Sequence, residues 1–431
     1  MAENVFQLEV LRARSGDCAL LHYGTARNPG LALIDGGHDD VYRPFLKPRL
    51  EQLRKRRGLT ESSRPLPIDL MMLSHIDEDH VAGLLELTAE ILEPPADGPI
   101  VRVVDLWHNA FDDIVGNDGE ELADAVSGRF GPASLSGELP VDLLDELEDA
   151  NAADVADTVM VVASVPQGRQ LRQDAEDIPI ERNVETGGGL IVATDQGGQL
   201  DMGKGLSFTV VGPMLPEVKK LQTAVRDWLR KHPEVQDQVT ASALASLADS
   251  SPTNLSSIVV LAEARGRRVL FTGDALAAKI LKGLELTGLI DEGGSIHVEV
   301  LKVPHHGSDR NVTPEFFARV TADHYVFSGN GQHGNPERAT LAMLAQARGD
   351  GDYTIHLTYP VDEIDGERRK DWNAKRADEE RRHATKPSVK VRPKWSNAKH
   401  GLAAFLADNR DVDDRIRIVE DGVPHTIDLL Q

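Results

Sequence analysis

The sequence predicts an α/β protein built on a sandwich of strands, and three observations carry that reading. The first forty residues look like a sandwich opening: "FQLEVLRA" alternates, "CALLHYG" follows a Gly-Asp turn, and "GLALIDGG" ends in two glycines. Farther along, short apolar strands alternate with helical patterns. Five strands then end in polar or ionisable residues: Asp35, residues 75–80, Asp274, His305 with His306, and residues 330–335. Strand ends on one rim of a sandwich converge in space.

Taken in order, residues 42–57 read as a helix with a basic end, "RKRR", a solvated terminus; Pro44 and Pro48 confine its regular part to the later turns. "IDLMMLSH" is a buried strand, "VAGLLELTAEIL" a helix and "IVRVVDLWHN" a strand. Residues 109–182 are acidic and Ala-rich and read as a peripheral insertion, with one strand-like run, "TVMVVAS", near its end. "GLSFTVVGP" is a strand, and residues 216–249 are helix-rich. "LSSIVVLAEARGRRVLFTGDA" reads as a hairpin turning at residues 265–267. "IHVEVLKVPHHGS" and "HYVFSGNGQHGNP" are strands running into polar loops, and a helix follows Pro336. "YTIHLTY" is a further strand. Residues 361–413 form a charged insertion, and residues 415–430 read as a closing hairpin around Asp421-Gly422.

Length and composition bound the classes. The chain has 431 residues, 40% of them hydrophobic, and no apolar run approaches the roughly 20 residues that span a bilayer. The N-terminus carries no basic segment followed by an apolar stretch, so the expectation is a cytoplasmic protein without a membrane partner. The single cysteine, Cys18, excludes an internal disulfide and reads as a small core residue. A net charge of −23 argues against a uniformly basic nucleic-acid coat. The charge is uneven, however. Residues 109–160 hold 14 Asp/Glu against Arg129, whereas residues 365–400 hold 12 Lys/Arg against 6 Asp/Glu, with Trp372 and Trp395 among them.

"SHIDEDH" puts two histidines and three acids directly after an apolar strand. Asp77 and Asp79 would also suit a helix N-terminus, where acids favour the dipole. Two neighbouring pairs of N/O ligands suit two metal ions, and a bridging carboxylate must then hold them about 4 Å apart. Asp274 is the candidate for that bridge, and Asp35 is read as orienting a ligand histidine.

"SHIDEDHVAG" resembles the H-x-[HD]-x-D-H signature of the metallo-β-lactamase superfamily, and "LFTGDA" resembles its bridging-Asp motif. "SGDCALLHYG", "LALIDGG", "TNLSSIVVL", "LKVPHHGS" and "SGNGQHGNP" are similar, in order, to motifs of one branch, the hydrolase domain of the competence protein ComEC and its soluble relatives. The resemblance spans the chain apart from its insertions. It implies a single domain over residues 1–431 with an αβ/βα sandwich of two mixed sheets, helices outside and metals on one rim. Carried over by position, His75, Asp77, Asp79, His80 and Asp274 are metal ligands. One of His305 and His306 completes the second site; His306 is favoured, leaving His305 to face substrate. Two departures stand out. The strand ending "VVGP" offers no further histidine for the first metal, and Asn335 replaces the histidine usual in the last loop.

The expected activity is hydrolysis by a water activated between two divalent ions, with Asp79 and His305 as catalytic residues. The expected metals are zinc or manganese, with iron behind them; Asp77 makes the site richer in oxygen, which brings manganese or iron in beside zinc. Ser308, Asn330, His333 and His108 are candidate substrate contacts. The expected substrate is a phosphodiester, in nucleic acid, with residues 368–399 supplying charge and the two tryptophans supplying stacking faces. Other classes remain: a lactone or thioester hydrolase, a di-iron oxidoreductase with a fused flavin domain, and a non-enzymatic module of a larger assembly such as a bacterial defence system. The sequence names no protein partner.

Overall fold

Alternation sets the first strands. In β1 (Asn4–Val10), Phe6, Leu8 and Val10 are buried while Gln7 lies between them, and β2 (Ala19–Thr25) and β3 (Asn28–Ile34) continue the antiparallel meander. The computed structural model describes residues 3–59, 64–110, 113, 165–231 and 257–431. After β3 come helix α1 (Lys47–Arg56), β4 (Leu66–Met72), α2 (Glu78–Leu92) and β5 (Val101–Trp107). Helix α3 (Val165–Asp177) and the short β6 (Glu181–Arg182) follow. With the chain's last strand, β15 (His425–Asp428), these strands make one seven-stranded sheet in the order β15-β1-β2-β3-β4-β5-β6, antiparallel from β15 to β3 and parallel from β3 to β6.

The second sheet repeats that plan. It contains β7 (Leu200–Asp201), β8 (Leu206–Gly212), β9 (Val259–Ala264), β10 (Arg267–Phe271), β11 (Ile296–Lys302), β12 (Val320–Phe327), β13 (Thr354–Leu357) and β14 (Ile416–Ile418). Their order is β14-β13-β12-β11-β10-β9-β8-β7, antiparallel from β7 to β10 and parallel beyond. β9 and β10 form the predicted hairpin. Its turn residues, Arg265 and Gly266, have φ of 56° and 75°, the left-handed pair that a two-residue turn between twisted strands requires. Helices α4 (Leu215–Lys231), α5 (Ala277–Leu286), α6 (Pro314–Arg319) and α7 (Arg338–Arg348) connect the strands. Between β13 and β14 lie α8 (Val361–Thr385), α9 (Asn397–His400), α10 (Leu402–Asp408) and α11 (Arg410–Asp413).

One apolar layer lies between the sheets. Phe6, Leu8, Tyr23, Met72 and Trp107 of the first meet Phe208, Val260, Phe271, Val300 and Val326 of the second, and Trp107 meets Phe208 edge-on with ring centres 5.4 Å apart. Residues of α1 to α3 cover the outer face of the first sheet, and residues of α5 to α8 and α10 cover that of the second. The result is an α/β protein of two mixed sheets with helices outside. Strands covered on both faces read as near-continuous apolar runs, as β4 does in "LPIDLMM". Among the described residues no helix is long and apolar enough to cross a membrane.

Two sequence expectations are corrected here. Residues 415–430 do not form a hairpin: β14 pairs with β13 in one sheet, and β15 pairs with β1 in the other. The Asp-Gly turn between them carries the chain across the sandwich. The end of the expected peripheral insertion belongs to the body, since Leu171 and Ala175 of α3 join the core beside α2 and β6 extends the sheet edge from β5. Thr88 of α2 also donates a hydrogen bond to Asp174 of α3. The rest of that insertion, with "TVMVVAS", lies outside the described residues apart from its first two residues and Asp113.

Candidate metal centre

Parallel strands β3, β4, β10, β11 and β12 all deliver their C-terminal ends to one rim, and each is followed by a polar loop. After β4 the chain runs through His75 and Ile76 into α2, whose first turn carries Asp79 and His80. Asp77 immediately precedes that helix, yet its side chain makes no capping hydrogen bond. Glycines let α2 sit this close. A Cβ on Gly83 would stand 2.0 Å from the Gly36 carbonyl oxygen, and one on Gly16 would stand 1.7 Å from that of Asp79. Gly36 N–H donates to the His80 carbonyl at 2.8 Å, which fixes the helix against the loop after β3.

Four of the predicted ligands form a tight group. His80 Nε2 lies 3.3 Å from Asp274 Oδ1 and 3.7 Å from Asp79 Oδ1. His306 Nε2 lies 3.4 Å from Asp79 Oδ2 and 3.6 Å from Asp274 Oδ1. His75 and Asp77 form the adjoining pair, 3.5 Å apart, and the His75 and His80 rings are 6.1 Å apart. All of these are buried except Asp79, whose side chain is 22% exposed. Of the 305/306 pair, His306 points into the group. His305 stands at its mouth, 16% exposed, with Nε2 3.6 Å from Asp274 Oδ2.

A second layer orients these side chains. Asp35 Oδ2 meets His80 Nδ1 at 3.0 Å and accepts from Ser74 Oγ, while Asp35 Oδ1 accepts from Ser74 N–H. Asp17 Oδ1 lies 3.3 Å from His306 Nδ1 and also accepts from Ser328 Oγ, and Lys302 pairs with Asp17 Oδ2. In both histidines the Nδ1 proton faces a carboxylate, which leaves Nε2 turned toward the group. Asn311 links the far side: its Oδ1 accepts from His305 Nδ1 at 2.9 Å, and its Nδ2 donates to the Asp274 carbonyl. Asp35, His305 and His306 all adopt positive φ (57°, 48° and 55°), a conformation costly outside glycine and concentrated at this rim.

Electrostatics follow the crowding of acids. Burial works against every charge here, but in Asp274 the neighbouring His305, His80 and His306 prevail and hold its carboxyl well below the usual range. Asp79 is held down likewise, against its own burial, by His80 and His306. His306, though buried, is pushed up to about 9 by Asp274 and Asp17, and His80 is raised by Asp274, Asp35 and Asp79. His75 goes the other way: burial brings it down to about 4, so it stands neutral.

The donor set fits divalent metal. His75 Nε2, His80 Nε2, His306 Nε2 and Asp274 Oδ1 are buried and have no hydrogen-bond partner, a costly state that a bound cation would relieve. Nitrogen and carboxylate oxygen in this mixture suit zinc or manganese.

Other candidates fall elsewhere. His108 is buried, with Nε2 facing the Gly168 carbonyl of α3 at 3.2 Å. Its strand ends on the same rim as β4, beneath α3. Asn330 is buried and its Oδ1 accepts from Gln332 N–H, which shapes the loop. Asn335 donates to the His305 carbonyl at 3.3 Å. Ser308 is buried at the turn after His306, and His333 is exposed with φ of 59°. Trp372 is already engaged within the protein: His400 stacks on it at 4.3 Å and the Arg392 guanidinium lies 5.1 Å from its ring centre. Sequence reasoning assigned no role to Asp17, Lys302, Ser328 or Asn311. The signal for the first two was a charged residue next to apolar strand positions in "GDCALL" and "VEVLKV".

No known protein-family model matches the chain. Over 90 residues it is 32% identical to microtubule-associated protein 1A of Rattus norvegicus, a stretch that is 20% of this chain and 3% of that protein. Over 81 residues it is 31% identical to the Mus musculus and Homo sapiens proteins of the same name, again 3% of their length. The chain thus spans a small fraction of the curated relatives it matches.

Proposed function

We propose that this protein is a metal-dependent hydrolase of the metallo-β-lactamase superfamily, in the branch of the ComEC hydrolase domain, acting on phosphodiesters in nucleic acid. The observation that carries this reading is the set of four buried ligand-type atoms without hydrogen-bond partners, gathered at the ends of parallel strands. Two divalent ions there, manganese or zinc, would acidify water and neutralise charge on the substrate's oxygens. Asp35 and Asp17 hold His80 and His306 in the ligating orientation. Asp79 and His305 face the open side, where a substrate enters. Asn311 accepts from His305 Nδ1 and so leaves the Nε2 lone pair directed at the reacting groups, where it would accept a proton from the attacking water and return it to the leaving oxygen. Lys386, Lys390, Lys394 and Lys399 are exposed on the basic segment and supply charge for a phosphate chain.

The test is metal content by mass spectrometry, together with hydrolysis of an activated phosphodiester and of single-stranded DNA, with manganese and with zinc. Wild type binds two ions and cuts, and Asp274→Ala does neither. Activity confined to lactones or thioesters removes the phosphodiester reading and keeps the hydrolase. A metal-free, inactive wild type removes both.

A further inference from the structure

The geometry points to Lys302 as a resident counter-ion of the cluster, a positioning residue that holds Asp17, and through it His306 and His80, when the metals are away. This rests on the metal reading above. Lys302 is the last residue of β11 and is buried, a rare state for lysine without a partner. Its Nζ pairs with Asp17 Oδ2, donates to the Gly273 carbonyl at 3.1 Å and lies 3.9 Å from Asp274 Oδ1. It therefore ties the strand end that carries the bridging acid to the loop that supports the histidines. Asp17 in turn touches His306 Nδ1 at 3.3 Å and His80 Nδ1 at 3.9 Å.

Charge gives this contact its meaning. Asp17, Asp35, Asp77, Asp79 and Asp274 are buried or nearly so, and the fixed ammonium of Lys302 faces them together with the His80 and His306 imidazoles; two divalent ions, displacing the imidazole protons, would bring the sum to zero. With the ions gone, Lys302 offsets the repulsion among the acids. With the ions present, the same ammonium repels them across a few ångströms of poorly screened interior. Lys302 thus stabilises the empty site and weakens metal binding, an asymmetry that a residue serving only packing does not have.

The experiment compares wild type, Lys302→Met, Lys302→Arg and the double variant Asp17→Asn/Lys302→Met. It uses Mn²⁺ or Zn²⁺ alone as the probe. Melting temperature is read with and without saturating metal, and affinity by chelator competition. Lys302→Met melts lower than wild type without metal, gains more on metal addition, and binds Mn²⁺ about tenfold tighter. Lys302→Arg keeps the charge and stays near wild type on both counts. The double variant restores the wild-type net charge and recovers the metal-free melting temperature. Equal losses with and without metal in Lys302→Met overturn the inference, as does an unchanged affinity. Should Lys302→Met fail to fold, a double variant that also fails to recover overturns it. A wild type that neither takes up metal nor melts higher with it defeats the metal reading instead.

Discussion

Asp35 Oδ2 lies 3.0 Å from His80 Nδ1, held there by a backbone that bends through φ of 57° directly after β3. The contact fixes which nitrogen of His80 carries the proton, and so which nitrogen faces Asp274. Asp35→Asn keeps a residue type that tolerates the left-handed backbone but removes the charge behind the imidazole. Metal affinity should fall about 10- to 100-fold, with little change in fold. Chelator competition measures it, and an unchanged dissociation constant sinks the assignment.

Asp79 is the most exposed of the candidate ligand carboxylates, 22% exposed and 3.4 Å from His306 Nε2. Asp79→Asn is nearly isosteric but replaces an anionic ligand with a weaker neutral one, leaving two cations under-neutralised. The circular-dichroism spectrum should be unchanged and hydrolysis lost. Near wild-type turnover in metal-replete buffer would show that Asp79 is no ligand.

Two glycines separate backbone crowding from helix propensity. In Gly83→Ala the new methyl meets the Gly36 carbonyl at 2.0 Å, and backbone cannot rotate away as a side chain would. The first turn of α2 must shift, taking Asp79 and His80 with it, at a cost of about 1–3 kcal/mol and with weaker metal binding. Gly366 lies inside α8, and a methyl there meets nothing within 4 Å. Gly366→Ala should therefore stabilise by about 0.5–1 kcal/mol. Urea titrations of both variants check the opposite signs.

What the sequence disclosed, and what it hid, follows from the range of the contacts. "SHIDEDH" was legible because its four ligand-type residues are near neighbours on a strand end and the helix that follows. The hairpin β9–β10 was legible because its turn residues set the pairing locally. Asp17 and Lys302 were not, since their partner is 285 positions away in the chain and neither residue is unusual by itself. β14 and β15 flank an Asp-Gly turn that favours a hairpin, yet each finds a better edge in a different sheet. The partners are β13 and β1, far away in the chain, and spacing does not report them. Trp372 likewise looks available in the sequence, but His400 and Arg392 pack against its ring.

A chain of three histidines makes stability sensitive to acid. His324 Nδ1 of β12 meets His356 Nε2 of β13 at 3.0 Å, and His356 Nδ1 meets His425 Nε2 of β15 at 2.8 Å, so the rings link the two sheets. Neutral imidazole has one N–H and one lone pair, and three in a row satisfy each other head to tail. Protonating both ends leaves His356 facing two N–H groups with a single lone pair, which breaks the chain. Burial first, then the charges of His425, His324 and Arg417, bring His356 down to about 2; burial also lowers His324 and His425. Asp323 beside His324 and Glu420 beside His425 pull the other way and do not prevail. The unfolded chain takes up these protons near pH 6.5 and the folded chain does not, so stability is whole above that pH and falls below it. For His356 alone the loss by pH 4.5 is about 2–3 kcal/mol. His75 and His108, also lowered by burial, add to the acid loss, so the comparison must be made by difference. Urea midpoints at pH 7.5 and pH 5 for wild type and His356→Gln provide it. The wild type should lose markedly more between the two pH values than the variant does, and equal losses would mean that the chain does not govern acid stability.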